Sequence, residues 1–344
     1  MAAVSRKENG ASPVALAVNE DHTLHNYREP GYTETPKRIE SILTQLRRSG
    51  LFREVSGRRF PDVHLKAVHG AEFLSYLKRA CASVPEGRFV CADTFPTGGL
   101  VRPPRSLLLQ AGCYCLDSFT PLGPGCYAAA RGAVDSALTA AEAVRKGARL
   151  AYALVRPPGH HAERHCFGGY CYLNNTAVAA HYLSHRGKVA IVDLDYHHGN
   201  GQQDIFYRRD DVLTVSLHGR PDVAYPYFSG YEDERGAGPG EGFNLNLPLP
   251  ARVDGRQYRR ALAKAIRAVA GFQPAFLVAA LGLDTAQGDP CGTWTLDCED
   301  FRNSGEMLGQ LRLPTLVVQE GGYRLRTLGA HARCFFEGLL HGDG

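Results

Sequence analysis

The sequence predicts an α/β fold in which helices cover both faces of a mostly parallel central sheet. Short apolar runs alternate along the chain with segments whose apolar residues recur at helical spacing, an order typical of parallel sheets. From residue 150 onward, each apolar run is followed at once by polar residues of the kinds used in catalysis. Sites in such sheets lie at the carboxyl ends of the strands. We therefore expect a single-domain, three-layer α/β/α protein with its functional site at those ends.

The individual elements follow from run length and periodicity. Apolar runs too short for buried helices predict strands at 14–18, 150–155, 189–195, 212–217, 276–281 and 315–318. Segments with helical periodicity predict helices at 36–49, 71–82, 128–146, 174–184, 201–207, 255–270 and 328–340. A stretch at about 84–127, rich in Pro, Gly, Cys and Thr, breaks this alternation. Loops of that length are usually functional or part of an interface, so we expect an insertion there that forms a homodimer contact and shapes the entrance to the site.

Composition and charge narrow the class of protein. The 344 residues are 44% hydrophobic and 22% charged, with 39 basic and 35 acidic side chains. This is the composition of an ordinary globular protein. The nearly equal numbers of basic and acidic side chains argue against nucleic acid or a membrane surface as a partner. Residues 1–12 lack the apolar core of a signal peptide and are expected to be disordered. We predict a cytoplasmic protein whose ten cysteines are reduced thiols, because no C-x-x-C pair occurs.

A metal site is predicted directly after the apolar run that ends at residue 192. Asp193, Asp195 and His197 stand at i, i+2 and i+4, and on a strand this spacing points all three side chains to one face. Carboxylate and imidazole together suit zinc or another borderline divalent metal; a polar strand end entering a turn is the alternative. Asp284, after the run 276–281, is the natural third ligand unless it is a helix N-cap. Three protein ligands would leave a position open for water and substrate.

Two further features suggest catalytic partners for such a metal. His160 and His161 follow a rigid Pro-Pro-Gly turn, and one could be a general base while a carboxylate such as Asp193 keeps the other charged. Tyr323 follows two glycines at another predicted strand end and could donate a hydrogen bond to a developing oxyanion. Neutral surface histidines and a packed loop tyrosine are the alternatives when each feature is taken alone.

Taken together, these motifs resemble those of the histone deacetylase family, part of the arginase–deacetylase superfamily. The resemblance runs from about residue 14 to residue 340, in the family's order, through the segments 156–161, 167–175, 193–201, 282–284 and 320–323. The chain looks most like the bacterial acetylpolyamine amidohydrolases on 168–170, 196–201 and the long segment ending at 120–125. The resemblance implies a deacetylase domain over 13–344 with the arginase–deacetylase fold, and zinc-dependent hydrolysis of a small acetylated amine such as acetylputrescine or acetylcadaverine.

The resemblance also implies a role for each motif residue. The expected ligands of Zn²⁺, or of Fe²⁺, are Asp195, His197 and Asp284. His161 would be the general base and then the general acid, with His160 as its electrostatic partner, hydrogen-bonded to Asp193. Tyr323 would stabilise the oxyanion. The expected lining of a substrate tunnel is Gly169, Tyr170, Tyr225 and the acidic rim residue Asp117. The expected structural potassium site comprises Asp193, Asp195, His197, Ser216 and Leu217.

Two departures from the family pattern leave the substrate open. Asn200 stands where many members place an aspartate behind the base, which should keep His161 more readily neutral. Cys291 stands where vertebrate polyamine deacetylases of the family have a gatekeeping glutamate. An acetyl-lysine deacetylase of the histone type and an amidase for other small amides are therefore alternatives. A catalytically silent acetyl binder is disfavoured, because neither a metal ligand nor Tyr323 is lost.

Overall fold

A parallel sheet forms the centre of the computed structural model, which describes residues 13–96, 98 and 102–343. The segment 1–12, predicted to be disordered, lies outside the described residues. Eight strands pair in the order β2-β1-β3-β8-β7-β4-β5-β6, and every pairing is parallel. They are β1 (Val14–Val18), β2 (Phe52–Glu54), β3 (Leu150–Leu154), β4 (Val189–Asp193), β5 (Val212–Gly219), β6 (Asn244–Leu249), β7 (Phe276–Leu281) and β8 (Thr315–Gln319). The predicted α/β class is confirmed.

Helices connect the strands and cover the sheet. In the described part of the chain they are α1 (Lys37–Ser49), α2 (Val63–Val68), α3 (Ala71–Ser83), α4 (Ala111–Tyr114), α5 (Cys126–Arg145), α6 (Asn175–Ser184), α7 (Asn200–Phe206), α8 (Gly255–Phe272), α9 (Cys298–Gly309) and α10 (Leu325–Asp343). Short 3₁₀ turns occur at Glu20–Leu24, Leu108–Gln110 and Gly238–Gly240. None of these helices is both long and apolar enough to cross a membrane.

The sheet is buried on both faces, which gives the predicted three layers. Val14 and Leu16 of β1 pack into the core that also contains side chains of α1, α8, α9 and α10. Ala15 and Ala17 point to the opposite face, where the core contains side chains of α5 and α6. Alternate residues of a strand face opposite sides of a sheet, so this division places one helical layer on each face. It also explains why the strands read as continuous apolar runs.

The predicted strand 189–195 ends two residues early, and the same-face argument for the metal ligands is therefore wrong. β4 stops at Asp193. The backbone N–H of Asp195 donates to Oδ1 of Asp193 (3.0 Å), and the N–H of His197 donates to Oδ1 of Asp195 (2.9 Å). Aspartate side chains that accept from the backbone two residues on favour turns over a sheet ladder. Asp195 and His197 consequently lie in the loop after the strand.

Other departures concern elements with weak local signals. The strands β2 and β6 and the helices α2, α4 and α9 were not predicted, and the predicted loop at 84–127 contains α4 and ends inside α5. The expectation of reduced thiols throughout is wrong for Cys298 and Cys334, which form a disulfide between α9 and α10. These two cysteines lie 36 positions apart and come together only because the two helices pack along each other, so a search for local cysteine spacing does not find them. The other eight cysteines are free.

Four adjacent strands bring the predicted site residues to one edge of the sheet. β3, β8, β7 and β4 are neighbours in that order. All are parallel, so the segments that follow them emerge at the same edge. These segments contain the histidine pair, Tyr323, Asp284, and the loop with Asp195 and His197, respectively.

Candidate active site

The three predicted metal ligands converge. Ligand atoms of Asp195, His197 and Asp284 all lie within 4.8 Å of one another, and both carboxylates are fully buried. Nδ1 of His197 is 3.2 Å from Oδ1 of Asp195 and 3.1 Å from Oδ2 of Asp284. Burial and the neighbouring charge of Asp195 raise the pKa of Asp284 to about 7. Two buried carboxylates that repel each other in this way, with an imidazole between them, fit a divalent cation.

Backbone N–H groups donate hydrogen bonds to both carboxylates of this cluster and fix their orientation. The N–H of Gly321 donates to Oδ2 of Asp195 at 2.8 Å, and the N–H of Tyr196 donates to Oδ1 of Asp284 at 3.0 Å. A Cβ atom on Gly321 would lie 2.5 Å from a carboxylate oxygen of both aspartates. Only glycine allows this approach, so backbone N–H groups of the loops after β8 and β4 hold Asp195 and Asp284, respectively. Asp284 does not cap a helix, since a described helix begins again only at Cys298.

His160 is surrounded by negative charge. Its Nδ1 is 3.0 Å from Oδ2 of Asp193, and its Nε2 is 3.7 Å from Oδ1 of Asp195. Burial alone would lower its pKa, but the charges of Asp195 and Asp193 outweigh that effect and raise the pKa to about 10. Its backbone N–H also donates to Oε2 of Glu320 at 3.0 Å. His160 is therefore held as a cation, in the geometry predicted for the electrostatic partner.

His161 has the opposite environment, although it is the next residue. Its Nδ1 is 2.7 Å from Oδ1 of Asn200. This partner is a neutral amide, whereas the partner of Nδ1 in His160 is the carboxylate of Asp193. Burial and the neighbouring His160 and His197 lower its pKa well below the usual value. A neutral imidazole is what a general base requires before it accepts a proton. The two histidine rings, 4.0 Å apart between centroids, thus have pKa values pushed in opposite directions.

Tyr323 completes the far side of the site. Its backbone N–H donates to Oδ2 of Asp289 at 2.7 Å, and the guanidinium of Arg38 lies 4.7 Å from its ring centroid. Arg38, fully buried on α1, also donates from Nε to the carbonyl of Gly322 at 2.7 Å and pairs with Glu34 at 3.0 Å. Burial raises the pKa of Tyr323 well above its usual value. Its phenol therefore stays protonated near neutral pH and can donate a hydrogen bond.

A narrow cavity of about 90 Å³ joins these groups to the surface. Its lining contains the catalytic candidates together with aromatic side chains: Phe119, His161, Gly169, Tyr170, His197, Tyr225, Cys291 and Tyr323. Gly169 has a φ of 56°, and a Cβ atom there would overlap Cδ2 of His161. Glycine is required at this position both for the backbone conformation and for the space beside the imidazole. Gly169, Tyr170 and Tyr225 thus occupy the wall where a tunnel was predicted.

Asp117 lies behind this wall, where it is buried and accepts hydrogen bonds from several protein donors. Its carboxylate accepts from the backbone N–H groups of Phe119 (3.0 Å), Thr120 (2.8 Å) and Gly169 (2.6 Å), and from the hydroxyl of Tyr225 (3.1 Å). These contacts tie the long loop to the glycine turn beside His161. Its predicted contact with substrate stays a prediction.

The predicted potassium residues surround the base of this cluster. Asp193 of β4 and Ser216 of β5 are register partners in the sheet, and Leu217 follows Ser216. Asp193 is also the residue whose carboxylate accepts from the backbone of Asp195. Asp193, Asp195 and Ser216 are thus near one another, whereas the side chain of Leu217 packs into the core on the other face of the sheet; potassium itself stays a prediction.

Three supporting residues were missed by the sequence interpretation. Glu320 lies in the quoted motif 320–323, and its carboxylate receives the N–H groups of Gly159 (2.6 Å) and His160 (3.0 Å), which holds the histidine turn. The sequence signal that could have identified Glu320 is an acidic residue directly after an apolar strand. Arg38 lies far away in sequence, on an amphipathic helix where an arginine looks like a surface residue. Glu163 contacts Asn200 and likewise has no distinguishing local pattern.

Comparisons with known proteins agree with this geometry. A family model described as "Histone deacetylase domain" matches residues 32–339. Acetylpolyamine amidohydrolase 1 of Pseudomonas aeruginosa is 42% identical over 330 residues, 91% of this chain and 95% of that protein. The acetylpolyamine amidohydrolase of Burkholderia pseudomallei is 44% identical over 282 residues, 80% of this chain and 82% of that protein. A crystal structure of acetylpolyamine aminohydrolase from Burkholderia pseudomallei has a TM-score of 0.87 at 40% identity, and the match covers 95% of this chain and 98% of that one.

Proposed function

Because the chain belongs to the histone deacetylase family, we propose that it is a metal-dependent amidohydrolase that removes acetyl groups from small acetylated amines. Acetylpolyamines such as acetylputrescine or acetylcadaverine are the proposed substrates, as the names of its relatives suggest. The observation that carries the proposal is the opposed histidine pair beside a three-ligand cluster: His160 contacts the carboxylate of Asp193, and His161 contacts the neutral amide of Asn200. Hydrolysis of an amide needs a base and then a proton donor, because its nitrogen is a poor leaving group, and we assign both steps to His161.

Zn²⁺ is the proposed metal, held by Asp195, His197 and Asp284. Mixed carboxylate and imidazole ligands suit Zn²⁺, and Fe²⁺ is compatible with the same set. When bound, the ion would polarise the acetamide carbonyl and lower the pKa of the attacking water. The protein supplies a buried site whose carboxylates are already oriented by the backbone of Gly321 and Tyr196.

His161 then moves the proton. Its Nδ1 is engaged with Asn200, so Nε2 is the nitrogen left for the cavity that His161 lines. Nε2 would take a proton from the attacking water and deliver it to the departing amine nitrogen. His160 keeps its own proton throughout, since its two carboxylate neighbours stabilise the cation. Its positive charge favours the negative charge that develops on the substrate.

Tyr323 stabilises the developing oxyanion from the opposite side. Tyr323 lines the same cavity as His161 and His197, and burial keeps its phenol protonated. A fixed donor of this kind costs no reorganisation when charge develops on the carbonyl oxygen. Arg38 and Asp289 hold the ring and its backbone, respectively. These contacts support a donor that is positioned before the substrate binds.

The shape of the cavity supports a slender substrate. A cavity of about 90 Å³, walled by Phe119, Tyr170 and Tyr225, matches an acetyl group on an unbranched aliphatic chain. Tyr170 and Tyr225 each pack edge to face on Phe119, at 5.5 and 5.7 Å between centroids. These aromatic walls favour an unbranched amide over a branched or cyclic one.

A homodimer and a structural K⁺ complete the proposal. Leu109 is 67% exposed, and Leu116 and Phe119 are also exposed on the segment 84–127, which supports a contact between two copies beside the cavity mouth. The balanced charge supports a cytoplasmic enzyme that needs neither nucleic acid nor a membrane surface. Light scattering at micromolar concentration tests the dimer, and a monomer with full activity would contradict it. Activity in K⁺ compared with a tetramethylammonium buffer tests the potassium site.

The function is tested by a panel of kcat/KM values with the metal content measured in parallel. The panel contains acetylputrescine, acetylcadaverine, acetylspermidines, an acetyl-lysine peptide and an uncharged N-alkylacetamide. We expect the acetylated diamines to have the highest values. A higher value for the acetyl-lysine peptide would favour the protein-deacetylase alternative, and hydrolysis of the uncharged amide alone would favour a general amidase. Turnover of none of these acetamides would contradict the proposed reaction.

A further inference from the structure

His161 contacts the amide of Asn200 where many family members have an aspartate, but a carboxylate, that of Glu163, lies on the other side of this amide. Asn200 is buried between His161 and Glu163: its Oδ1 is 2.7 Å from Nδ1 of His161, and its Nδ2 is 2.8 Å from Oε1 of Glu163. The same Nδ2 also donates to the backbone carbonyl of His161 at 3.2 Å. His161, Asn200 and Glu163 thus form a continuous hydrogen-bonded chain that leads away from the cavity.

The chemistry of the two acceptors fixes the orientation of the Asn200 amide. A backbone carbonyl and an ionised carboxylate can accept hydrogen bonds but cannot donate them. Both face the same atom of Asn200, which must therefore be the NH₂ group, and the amide oxygen must face His161. An oxygen at that place accepts from Nδ1, so the proton of the neutral imidazole is on Nδ1 and the free electron pair is on Nε2.

We propose that Glu163 is a positioning residue for the base: acting through Asn200, its carboxylate holds His161 in the tautomer that leaves Nε2 free to accept a proton. The inference rests on the proposed role of His161 and adds a residue to it. Glu163 is neither among the residues that line the cavity of His161 and His197 nor in the three-ligand cluster, and its contact with the base runs through the amide of Asn200.

Glu163 is itself held in position. Its backbone N–H donates to the carbonyl of Cys166 (2.9 Å), and its carbonyl is 2.9 Å from Nδ1 of His69. Nε2 of His69 accepts from the backbone N–H of Asn174 at 3.0 Å, so Nδ1 carries the proton and donates to Glu163. His69 is neutral, because burial lowers its pKa to about 4. The loop that carries Glu163 is therefore anchored to the helix layer independently of the active site.

The carboxylate of Glu163 titrates close to neutral pH. Burial raises its pKa to about 7; the hydrogen bond from Asn200 opposes this shift, and the charge of Asp204 on α7 adds to it. Further titratable groups near it are His69, after α2, and Arg164, His165 and Cys166 on its own loop. A protonated Glu163 has a hydroxyl that can donate to the amide oxygen. The orientation of Asn200, and with it the Nδ1-protonated tautomer of His161, is then held by the backbone carbonyl of His161 alone.

The first test compares pH profiles of kcat/KM for the zinc-loaded wild type and Glu163→Gln. Glutamine keeps an acceptor oxygen but does not titrate, so the decline of activity below neutral pH should shift to lower pH by at least one unit. Glu163→Ala, which removes the acceptor, should lower kcat by about tenfold or more with a smaller change in KM and unchanged metal content. Glu232→Gln, an exposed glutamate, is the matched control and should behave as the wild type. Superimposable profiles for the wild type and Glu163→Gln would overturn the proposal.

The second test reads the tautomer without using activity. In ¹⁵N-histidine-labelled holoenzyme at pH 8, the signals of His161 are identified by their loss in His161→Ala. We expect a protonated Nδ1 in the wild type and a substantial Nε2-protonated fraction in Glu163→Ala. The same Nδ1 form in both proteins would refute the positioning role even if the enzyme hydrolyses acetylated amines. An Nδ1 form lost only in the variant, with no hydrolysis of any acetamide, would support the positioning and contradict the proposed reaction.

Discussion

Replacing Tyr323 by phenylalanine should separate catalysis from folding and metal binding. The substitution removes one hydroxyl and leaves the ring, which Arg38 contacts at 4.7 Å, and the backbone N–H, which Asp289 accepts at 2.7 Å. Neither contact involves the hydroxyl, so the loop after β8 should keep its position. The hydroxyl is expected to act only when charge develops on the carbonyl oxygen.

The size of the effect follows from the loss of one fixed oxyanion donor. Such a donor is worth about 2.7–4 kcal/mol of transition-state stabilisation, which corresponds to a decrease in kcat of about a hundredfold to a thousandfold. KM should change little, because the uncharged carbonyl of the bound substrate gains less from the donor. The free energy of unfolding should change by less than about 1 kcal/mol, since packing is retained.

The assay is the release of putrescine from acetylputrescine, with zinc content and thermal unfolding measured on the same samples. Tyr170→Phe is the matched control, because it removes a hydroxyl from a residue of the same cavity that has no proposed role in the reaction. Its kcat should stay within about threefold of the wild type. A Tyr323→Phe enzyme with kcat within fivefold of the wild type and one zinc per chain would refute the oxyanion role. Loss of zinc in the variant would show that the loop also supports the ligands.

Three further predictions concern the histidines and their surroundings. His161→Ala should lower kcat more than His160→Ala, because only His161 is poised as a neutral base; the reverse order in steady-state kinetics would exchange the two roles. Gly169→Ala should lower kcat/KM at least about tenfold, since its Cβ would overlap His161 at a φ of 56°, and a fully active variant would contradict this packing. Burial lowers the pKa of His69 from 6.5 to about 4, so only the unfolded chain binds a proton between these values. The free energy of unfolding from urea titrations should therefore fall as the pH is lowered from 6.5 to 4, by roughly 3 kcal/mol at most from this residue, and a flat profile would contradict its neutral burial.

The site could be predicted from the sequence wherever a residue type and a strand end coincide. Asp195, His197 and Asp284 were found because polar ligands directly follow apolar runs, and the parallel sheet then brings those runs to one edge. The reason first given for Asp195 and His197 was nevertheless wrong, since aspartate–backbone turns end β4 at Asp193. The three residues do converge, but the local geometry first given for two of them was wrong; their role as ligands stays a prediction.

Residues that act through tertiary contacts could not be predicted in this way. Arg38 reaches Tyr323 from a helix almost three hundred positions away in the chain, and nothing in its own segment distinguishes it from an exposed arginine. The same holds for Glu163, whose partner Asn200 is brought to it by the loop between β4 and α7. The disulfide between Cys298 and Cys334 depends on the packing of α9 against α10. Each becomes visible only when the distances between elements are known.

Metal removal and replacement tests the central claim most directly. The protein is stripped with a chelator, and the hydrolysis of acetylputrescine is measured before and after Zn²⁺ is returned, with Asp284→Asn as the ligand control. We predict no detectable hydrolysis by the stripped wild type, full recovery at one Zn²⁺ per chain, and neither binding nor recovery in Asp284→Asn. Undiminished hydrolysis by a wild-type protein shown to contain no metal would contradict the account.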